Sequence, residues 1–455
     1  MMKSMNPATG ELLKEYQALN NAAIEQALNK AEEAFFTWRT TSIQERSDHL
    51  KSVSELLRKD KFSYGKLITE EMGKPIEQSV AEIEKCAAVC EYYVEHGADF
   101  LAEKLVDTGP RKSKISYQPL GPILAIMPWN FPFWQVFRFL APNLMAGNVA
   151  LLKHASNVSG CSLAIADILV QAGLPEGVMQ SLLIDSQHAE KLLRDERIKA
   201  VTLTGSNRAG AAIGKIAGEL VKKSVLELGG SDAYVILDDA DIELAAKTCA
   251  ASRLINSGQS CIAAKRFIVV NSVKEEFQAK LVEQMAKVKL GDPMDNTVGL
   301  GPLARDDIRQ DIAKQVQESV KKGAHCLLGG HHVDSPGFYY EATVLTDVKP
   351  GMPVFDEEVF GPVAAVVAAA DEKGAIHLAN QSRFGLGAAI FTRDLAKGES
   401  IATHELDAGT CVVNTMVKSD PRLPFGGIKK SGFGRELAEV GMHEFVNIKT
   451  VVINE

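Results

Sequence analysis

The stretch Ile123-Leu-Ala-Ile-Met127 opens the part of the chain that decides its fold. It is a short apolar run typical of a buried strand. Strand-like runs follow at 149–152, 180–184 and 200–203, and residues 159–172 and 207–221 have the apolar spacing of helices. Strands that alternate strictly with helices predict a doubly wound α/β fold, with a parallel sheet covered by helices on both faces.

The regions on either side extend this pattern. Residues 20–104 have helical spacing, and Pro75 predicts the start of one of these helices. Gly109-Pro110 interrupts two short alternating segments in the manner of a hairpin. A second strand-helix series begins at Asp232, directly after Gly229-Gly230, so we interpret this glycine pair as a domain junction.

Composition limits the function classes. A chain of 455 residues, 46% of them hydrophobic, is long enough for about three domain-sized units. Its 50 Lys and Arg are interspersed with 58 Asp and Glu, which favours neither nucleic acid nor a membrane as a partner. The seven cysteines lack Cys-x-x-Cys spacing, so we expect free thiols and a cytoplasmic protein, and no targeting segment is visible.

Cys261 and Glu227 are the first candidates for catalysis. Cys261 lies in a loop of small polar residues, Ser257-Gly-Gln-Ser260, where backbone amides can approach the sulfur. Glu227 lies beside the glycine pair, and a thiol with a nearby carboxylate can support covalent catalysis followed by hydrolysis. Taken alone, Cys261 is better interpreted as one of the chain's buried core cysteines.

Two further segments have both a structural and a functional interpretation. In Pro128-Trp-Asn-Phe-Pro132, two prolines fix the backbone around Asn130, whose amide could stabilise an oxyanion or cap the next helix. Thr204-Gly-Ser-Asn-Arg-Ala-Gly210 follows a strand and opens a helix, so it could bind phosphate or simply connect the two elements.

Together these motifs resemble the aldehyde dehydrogenase superfamily, and the resemblance covers almost the whole chain. The motifs stand in the family's order: Pro128-Trp-Asn-Phe-Pro132, Val225-Leu-Glu-Leu-Gly-Gly230, Gly258-Gln-Ser-Cys261, Glu357-Glu-Val-Phe-Gly-Pro362, Pro424-Phe-Gly-Gly427 and Ser431-Gly-Phe-Gly-Arg-Glu436. The resemblance implies oxidation of an aldehyde to a carboxylic acid. Cys261 would be the nucleophile, Asn130 the oxyanion donor, and Glu227 the base that activates water for thioester hydrolysis. A thiol hydrolase or amidase is the alternative, but it leaves the 204–210 turn unexplained.

The resemblance also implies a nicotinamide cofactor. The residues expected to bind it are Met127, Trp129, Lys153, Ser156, Gly205, Ser206, Leu228, Glu358 and Phe360. Many NAD-preferring relatives have a glutamate three residues after the lysine, whereas this chain reads Lys153-His-Ala-Ser156. The carboxylate that excludes a 2′-phosphate is therefore missing, and we expect NADP to be preferred over NAD.

The substrate prediction rests mainly on Arg138. Trp134 and Arg138 share a face of the predicted helix. The chain resembles the succinate-semialdehyde dehydrogenases in having an arginine at this position, and arginine is well suited to bind a carboxylate. Ser419 and Phe425 would border the substrate tunnel. We therefore expect succinic semialdehyde as substrate, with another small aldehyde as the alternative. A structural ion pair is the alternative role for Arg138.

By the same resemblance, the chain divides into three parts. Residues 1–100 and 119–228 would form a Rossmann-type dinucleotide-binding domain, residues 229–432 an α/β catalytic domain, and residues 101–118 and 433–455 a small β flap. An exposed flap strand needs a partner, so we expect a homodimer or homotetramer. Arg435-Glu436 could form an ion pair, or Glu436 could lie near the proton exit. We expect no metal site.

Overall fold

The computed structural model describes residues 1–109 and 112–454. Of the predicted turn at Gly109-Pro110, Pro110 lies outside the described residues. The strands are β1 Met2–Met5, β2 Leu12–Tyr16, β3 Lys104–Asp107, β4 Lys112–Pro119, β5 Pro122–Met127, β6 Val149–His154, β7 Met179–Ser181, β8 Ala200–Thr204, β9 Lys223–Glu227, β10 Ala233–Ile236, β11 Arg266–Val270, β12 His325–Leu328, β13 Thr343–Thr346, β14 Val363–Ala369, β15 Phe384–Gly385, β16 Gly387–Phe391, β17 Thr410–Val413, β18 Ile428–Lys429, β19 Gly432–Phe433 and β20 Val446–Ile453.

Helices connect and cover these strands. They are α1 Asn21–Trp38, α2 Ile43–Lys59, α3 Lys61–Met72, α4 Ile76–Phe100, α5 Trp134–Ala146, α6 Ser159–Gln171, α7 Ser186–Arg194, α8 Asn207–Glu219, α9 Ile242–Leu254, α10 Lys274–Ala286, α11 Asp306–Lys321, α12 Pro353–Asp356, α13 Glu372–Asn380, α14 Leu395–His404 and α15 Ala438–His443. Pro75 immediately precedes α4 as its N-cap residue, which confirms the helix start predicted there.

The first large sheet has six strands in the order β19-β9-β8-β5-β6-β7. All neighbours pair in parallel except β19, which is antiparallel to β9. Helices lie between its strands in sequence, so the predicted doubly wound arrangement is confirmed. Its central strand β5 is almost wholly buried because helices cover both faces.

The second large sheet has seven strands in the order β12-β13-β14-β11-β10-β16-β17, with only β12 antiparallel to its neighbour. Separate apolar clusters pack on its two faces. The chain leaves the first sheet at Glu227 and enters the second at Ala233, so Gly229-Gly230 lies in the passage between them. The carboxyl ends of β9 and the loop before β11 thereby come close together.

A third sheet of three antiparallel strands, β20-β4-β3, stands apart from the other two. It combines the two segments that the sequence assigned to a flap. The C-terminal segment does not stay together, however, because Phe433 pairs with Leu226 in the six-stranded sheet and Phe445 packs into that sheet's core. Only β20 joins β4. The full set of domain boundaries remains a prediction.

Candidate active site

Two cavities meet at Cys261. The larger cavity has a volume of about 370 Å³ and is bounded by α4, α5 and the segment around Ser419. The smaller cavity, of about 210 Å³, lies at the carboxyl ends of β5, β8 and β9. Cys261 and Gln135 line both. A reagent bound in either cavity could therefore approach the same sulfur.

The backbone before Cys261 is strained. Asn256, Ser257 and Gly258 have φ angles of 51°, 54° and 77°. These angles lie in the left-handed region, which residues other than glycine rarely adopt. A Cβ at Gly258 would collide with the carbonyl group of Gly361. Such strain persists where the surroundings hold the backbone in place, and it is common at functional sites.

Side chains of the loop hold this conformation. Ser257 Oγ donates to the carbonyl oxygen of Gly301 at 3.0 Å. Gln259 Oε1 accepts from the Ala304 N–H at 2.9 Å. Both side chains are fully buried, so these hydrogen bonds form without competition from water. The loop is therefore fastened to the segment that precedes α11.

Lys265 fastens the other side of the loop, and the sequence prediction missed it. Its buried Nζ donates to the carbonyl oxygens of Ser260, Cys261 and Ala263 at 2.9, 2.7 and 3.1 Å. Three carbonyls around one ammonium fix the peptide that carries the nucleophile. The available signal was a lysine four residues after the candidate cysteine in an otherwise small, apolar run.

The environment of Cys261 keeps its thiol protonated. Burial raises the pKa of Cys261 to about 12, opposed by the positive charges of Arg138 and Lys265. Only the thiolate is strongly nucleophilic, so a base must take the proton when the reaction begins. The other six cysteines are also free thiols, as expected.

Asn130 contacts the same loop. Its side-chain Nδ2 donates to the backbone carbonyl oxygen of Gln259 at 3.1 Å. Its backbone carbonyl oxygen accepts from Asn256 Nδ2 at 2.7 Å. The side chain is buried and lines the smaller cavity beside Cys261. Because a side-chain amide has two N–H donors, one remains available to a second acceptor.

Glu227 ends β9 in the smaller cavity. Neither carboxylate oxygen has a hydrogen-bond partner among the described residues, although the side chain is buried. Burial, reinforced by the negative charge of Glu436, raises its pKa well above the ordinary value for glutamate. Gly426 packs against it, since a Cβ there would lie 2.7 Å from Glu227 Oε1. A buried carboxyl with a raised pKa is suited to accepting a proton near neutral pH.

The structure changes the interpretation of the two arginines near Glu436. Arg138 Nε forms a buried ion pair with Glu436 Oε2, and the guanidinium lies 4.7 Å from the centroid of the Phe425 ring. Arg435 instead donates to the carbonyl oxygens of Gly427 and Gly434. Of the two alternatives for Arg435-Glu436, the ion pair is therefore not formed, and the alternative of an ion pair for Arg138 is the one observed. Arg138 does line the larger cavity, but it already has a carboxylate partner.

The other predicted substrate residues come together in the larger cavity. Trp134, Ser419 and Phe425 all line it with Arg138. The structure adds Lys85 of α4, whose Nζ donates to Ser419 Oγ at 2.6 Å. No sequence pattern pointed to Lys85, because a single lysine on a helix normally faces solvent.

The smaller cavity brings together most of the predicted cofactor residues. Gly205 and Ser206 stand at the start of α8, where Ser206 Oγ caps the helix by accepting from the Ala209 N–H at 3.3 Å. Gly210 lets helix α8 pack closely against the Leu228 side chain, which follows β9. A Cβ at this position would collide with that side chain. A helix start at the carboxyl edge of a parallel sheet suits a phosphate group.

Glu358, Phe360 and Trp129 form the opposite wall. The Trp129 and Phe360 rings make an edge-to-face contact at 5.7 Å. Glu358 Oε1 accepts from the Gly230 N–H at 2.9 Å, and a Cβ at Gly229 would occupy the space of its carboxylate. Aromatic faces, a carboxylate and a helix start together fit a dinucleotide.

Lys153, Ser156 and Met127 lie outside the two cavities. Lys153 belongs to β6 and Ser156 follows it, exposed at the same edge of the sheet. Burial lowers the pKa of Lys153. Met127 is 2% exposed, within the core of the six-stranded sheet, so only its backbone could reach a cofactor.

Among the described residues, no group of three or more His, Cys, Asp and Glu side chains could hold a metal ion. No helix within 1–109 or 112–454 is long and apolar enough to cross a membrane.

Residues 1–451 match the aldehyde dehydrogenase family. The chain belongs to this family. A relative in Synechocystis sp., named as a probable NADP(+) succinate-semialdehyde dehydrogenase, is 49% identical over 99% of both chains. The NAD(P)+ succinate semialdehyde dehydrogenase of Escherichia coli is 48% identical over 98% of this chain and 97% of its own.

A solved structure agrees with these sequence relatives. The succinic semialdehyde dehydrogenase from Streptococcus pyogenes in complex with NADP+ superposes with a TM-score of 0.97 over the whole of both chains, at 35% identity. The predicted family and aldehyde dehydrogenase-like α/β fold are therefore confirmed. As a member of this family, the protein is an oxidoreductase that acts on a small aldehyde.

Proposed function

We propose that this protein oxidises succinic semialdehyde to succinate with NADP, which it uses in preference to NAD. The observation that carries the proposal is the meeting of two cavities at one thiol. The larger cavity is lined by cationic side chains, Lys85 and Arg138, and the smaller one fits a dinucleotide. The names of the relatives from Synechocystis, E. coli and S. pyogenes support both halves of it.

The first step is attack of the Cys261 sulfur on the aldehyde carbonyl carbon. The thiol proton passes to water as the C–S bond forms, and the positive charges of Arg138 and Lys265 favour the thiolate that attacks. The carbonyl oxygen then carries negative charge. Its donors are the free N–H of the Asn130 amide and the backbone N–H of Cys261. Loss of one such donor typically costs about 3 kcal/mol of transition-state stabilisation.

A dinucleotide in the smaller cavity would supply the oxidant, because the hydride of the carbon bonded to Cys261 would pass to it. The protein's part is to hold it in the smaller cavity: Gly205 and Ser206 for the pyrophosphate, Glu358 and Phe360 for the nicotinamide ribose. Trp129 covers the cleft. The group left on Cys261 is a thioester.

Hydrolysis completes the reaction. A water molecule attacks the thioester carbon while Glu227 accepts its proton, and the C–S bond breaks to release the acid and regenerate Cys261. Burial raises the pKa of Glu227, which makes it a stronger base than an exposed glutamate. The absence of hydrogen-bond partners on its oxygens among the described residues leaves them available to water.

NADP preference rests on Ser156. It stands exposed three residues after Lys153 at the edge of the six-stranded sheet, where a glutamate would repel a 2′-phosphate. A serine hydroxyl can donate to that phosphate instead, and Lys153 supplies positive charge nearby.

Steady-state rates of nicotinamide reduction with a panel of aldehydes and both dinucleotides test the proposal. The panel pairs succinic semialdehyde with shorter and longer semialdehydes and with uncharged aldehydes of equal length. We expect the highest kcat/KM for succinic semialdehyde with NADP. A higher value for uncharged aldehydes throughout would assign another small aldehyde as substrate, and a higher value with NAD would contradict the role of Ser156.

We also propose that the protein works as a homodimer or homotetramer in the cytoplasm. Strand β20 is an edge of the three-stranded sheet, and its Ile448 and Val452 are 58% and 52% exposed. A second copy paired with this edge would cover them. Seven free thiols favour a reducing compartment. Sedimentation of the native protein tests the assembly, and a monomer that retains its activity would contradict it.

A further inference from the structure

Lys85 has an unusual position for a lysine. It extends from α4 into the larger cavity, where its Nζ donates to Ser419 Oγ at 2.6 Å. The same Nζ lies 4.0 Å from the centroid of the Trp134 ring, on the face that attracts cations. Two elements far apart in sequence, α5 and the loop at Ser419, therefore hold one ammonium group at the cavity wall.

The charge of Lys85 is not directly paired. Among the described residues, no carboxylate oxygen lies within 4.0 Å of its Nζ, and its hydroxyl and aromatic contacts are neutral. The carboxylates whose charge acts on Lys85 are engaged elsewhere, since Glu82 pairs with Lys74 and Asp420 pairs with Arg422. Lys85 is thus a half-buried cation at the cavity wall that lacks a directly bonded anion.

Burial and a neighbouring positive charge both disfavour the charged form of Lys85. Burial lowers its pKa to about 8, and the positive charge of Arg138 adds to this effect. Glu82 and Asp420 oppose it only partly. An anion that entered the cavity would offset the cost of holding the ammonium there.

We propose that Lys85, together with Ser419, binds the carboxylate of the aldehyde substrate. One carboxylate oxygen accepts from the Lys85 ammonium and the other from the Ser419 hydroxyl, while Trp134 keeps the ammonium in place. Arg138 takes a positioning role through its ion pair with Glu436, rather than the direct clamp that the sequence favoured. This assignment rests on the proposed function, because it requires a substrate with a carboxylate.

Lys85→Met tests the assignment, since methionine keeps much of the side-chain length and removes the charge. A hydrogen bond to a charged group lost in this way reduces kcat/KM for succinic semialdehyde by roughly 10- to 100-fold, mainly through KM. Turnover of an uncharged aldehyde of equal length should stay close to that of the unaltered protein, which also shows that the variant folds. Lys85→Arg should restore much of the succinic semialdehyde activity.

Lys418→Met is the matched control. Lys418 is an exposed lysine at the rim of the same cavity, so its loss removes one positive charge without removing the Lys85 ammonium. We expect a change of less than about threefold for both aldehydes, because exposed charges are screened by solvent. If Lys418→Met and Lys85→Met have equal effects, the cavity uses only its overall charge and the assignment is wrong.

A second readout uses the titration of Lys85. Competitive inhibition by succinate involves no chemistry at Cys261, so its pH dependence reports binding alone. In the unaltered protein we expect succinate to bind more weakly as pH rises past about 8, because the ammonium loses its proton. The titratable and charged groups that act on Lys85 are Arg138, Cys86, Glu82 and Asp420. Lys85→Met should abolish this pH dependence, and an unchanged profile would contradict the assignment.

Failure of the inference differs from failure of the proposed function. If the unaltered protein prefers uncharged aldehydes, the substrate proposal itself fails. If it prefers succinic semialdehyde but Lys85→Met keeps that preference while Arg138→Met loses it, the function stands and Arg138 is the anchor.

Discussion

The larger and the smaller cavity share the Cys261 thiol but are built differently. The smaller one is shaped largely by backbone: a helix start at Ser206, strand ends, and glycines that let Glu358 and Leu228 approach. The larger one is shaped by side chains, with aromatic walls and three cations, Lys85, Arg138 and Lys418. Backbone geometry suits the dinucleotide that a whole family shares, whereas side chains set which aldehyde enters.

The difference also explains why the thiol needs its support. Cys261 must be reachable from both sides, so its loop cannot be covered by either cavity wall. Buried hydrogen bonds hold the loop in place instead, and they are made by Lys265, Ser257 and Gln259. Changes to shared groups should therefore have larger effects than changes on one side.

Replacing the shared nucleophile should have the largest effect. Cys261→Ala removes the atom that forms the covalent bond, and we expect kcat to fall by roughly 10⁴-fold or more with every aldehyde. The rate of nicotinamide reduction measures it. Cys326→Ala, which removes an exposed thiol outside both cavities, is the control and should leave the rate unchanged. Residual activity within tenfold of the original would mean that the two cavities do not meet at the reacting atom.

Asn130→Ala comes next, because Asn130 acts in the transition state whichever aldehyde is bound. We expect kcat to fall by roughly 10²- to 10³-fold, with little change in KM for the dinucleotide. Asn296→Ala, at an exposed turn, is the control. A fall confined to KM would show that Asn130 only shapes the smaller cavity.

Ser156→Glu tests the dinucleotide side alone. The added carboxylate should lower kcat/KM for NADP by roughly tenfold or more through repulsion of the 2′-phosphate, while NAD is affected much less. KM for succinic semialdehyde should not change, because Ser156 lies outside the larger cavity. Ser156→Ala separates loss of the hydroxyl from gain of charge. Equal losses with both dinucleotides would contradict the proposed contact.

The smallest effect concerns His154, which joins β6 to the Asn130 turn. Its Nδ1 accepts from the Ala155 N–H, so its Nε2 carries the proton and donates to the Pro132 carbonyl at 2.8 Å. Burial lowers the pKa of His154 to about 4. Between its ordinary pKa and 4 only the unfolded chain takes up the proton. The free energy of unfolding therefore decreases as the pH is lowered through this window.

From this single group, the free energy of unfolding should be about 2 kcal/mol lower at pH 5 than at pH 8. Denaturant unfolding at both pH values measures the loss. His154→Gln removes the titrating group, and the part of the loss that it contributes should disappear. An equal pH dependence in this variant would show that His154 titrates normally.

The sequence predicted the backbone-built parts better than the side-chain ones. The alternation of strands and helices, the 204–210 turn and the loop of Cys261 all appear in local patterns, because local backbone geometry leaves a local signal. The partners of Arg138 and Lys85 lie in the distant segments around Glu436 and Ser419. No periodicity reports such contacts, so the sequence could not decide which arginine pairs with Glu436, and Lys85 was missed.

We propose that Cys261 holds the oxidised substrate as a thioester where the two cavities meet, and that Glu227 activates the water that hydrolyses it. Glu227→Gln should still form this thioester and should release it very slowly. Mixing this variant with succinic semialdehyde and NADP, followed by mass spectrometry of its peptides, tests the claim directly. We expect one succinyl group on Cys261 and one reduced nicotinamide per active site. No adduct, or an adduct on another cysteine, would contradict it.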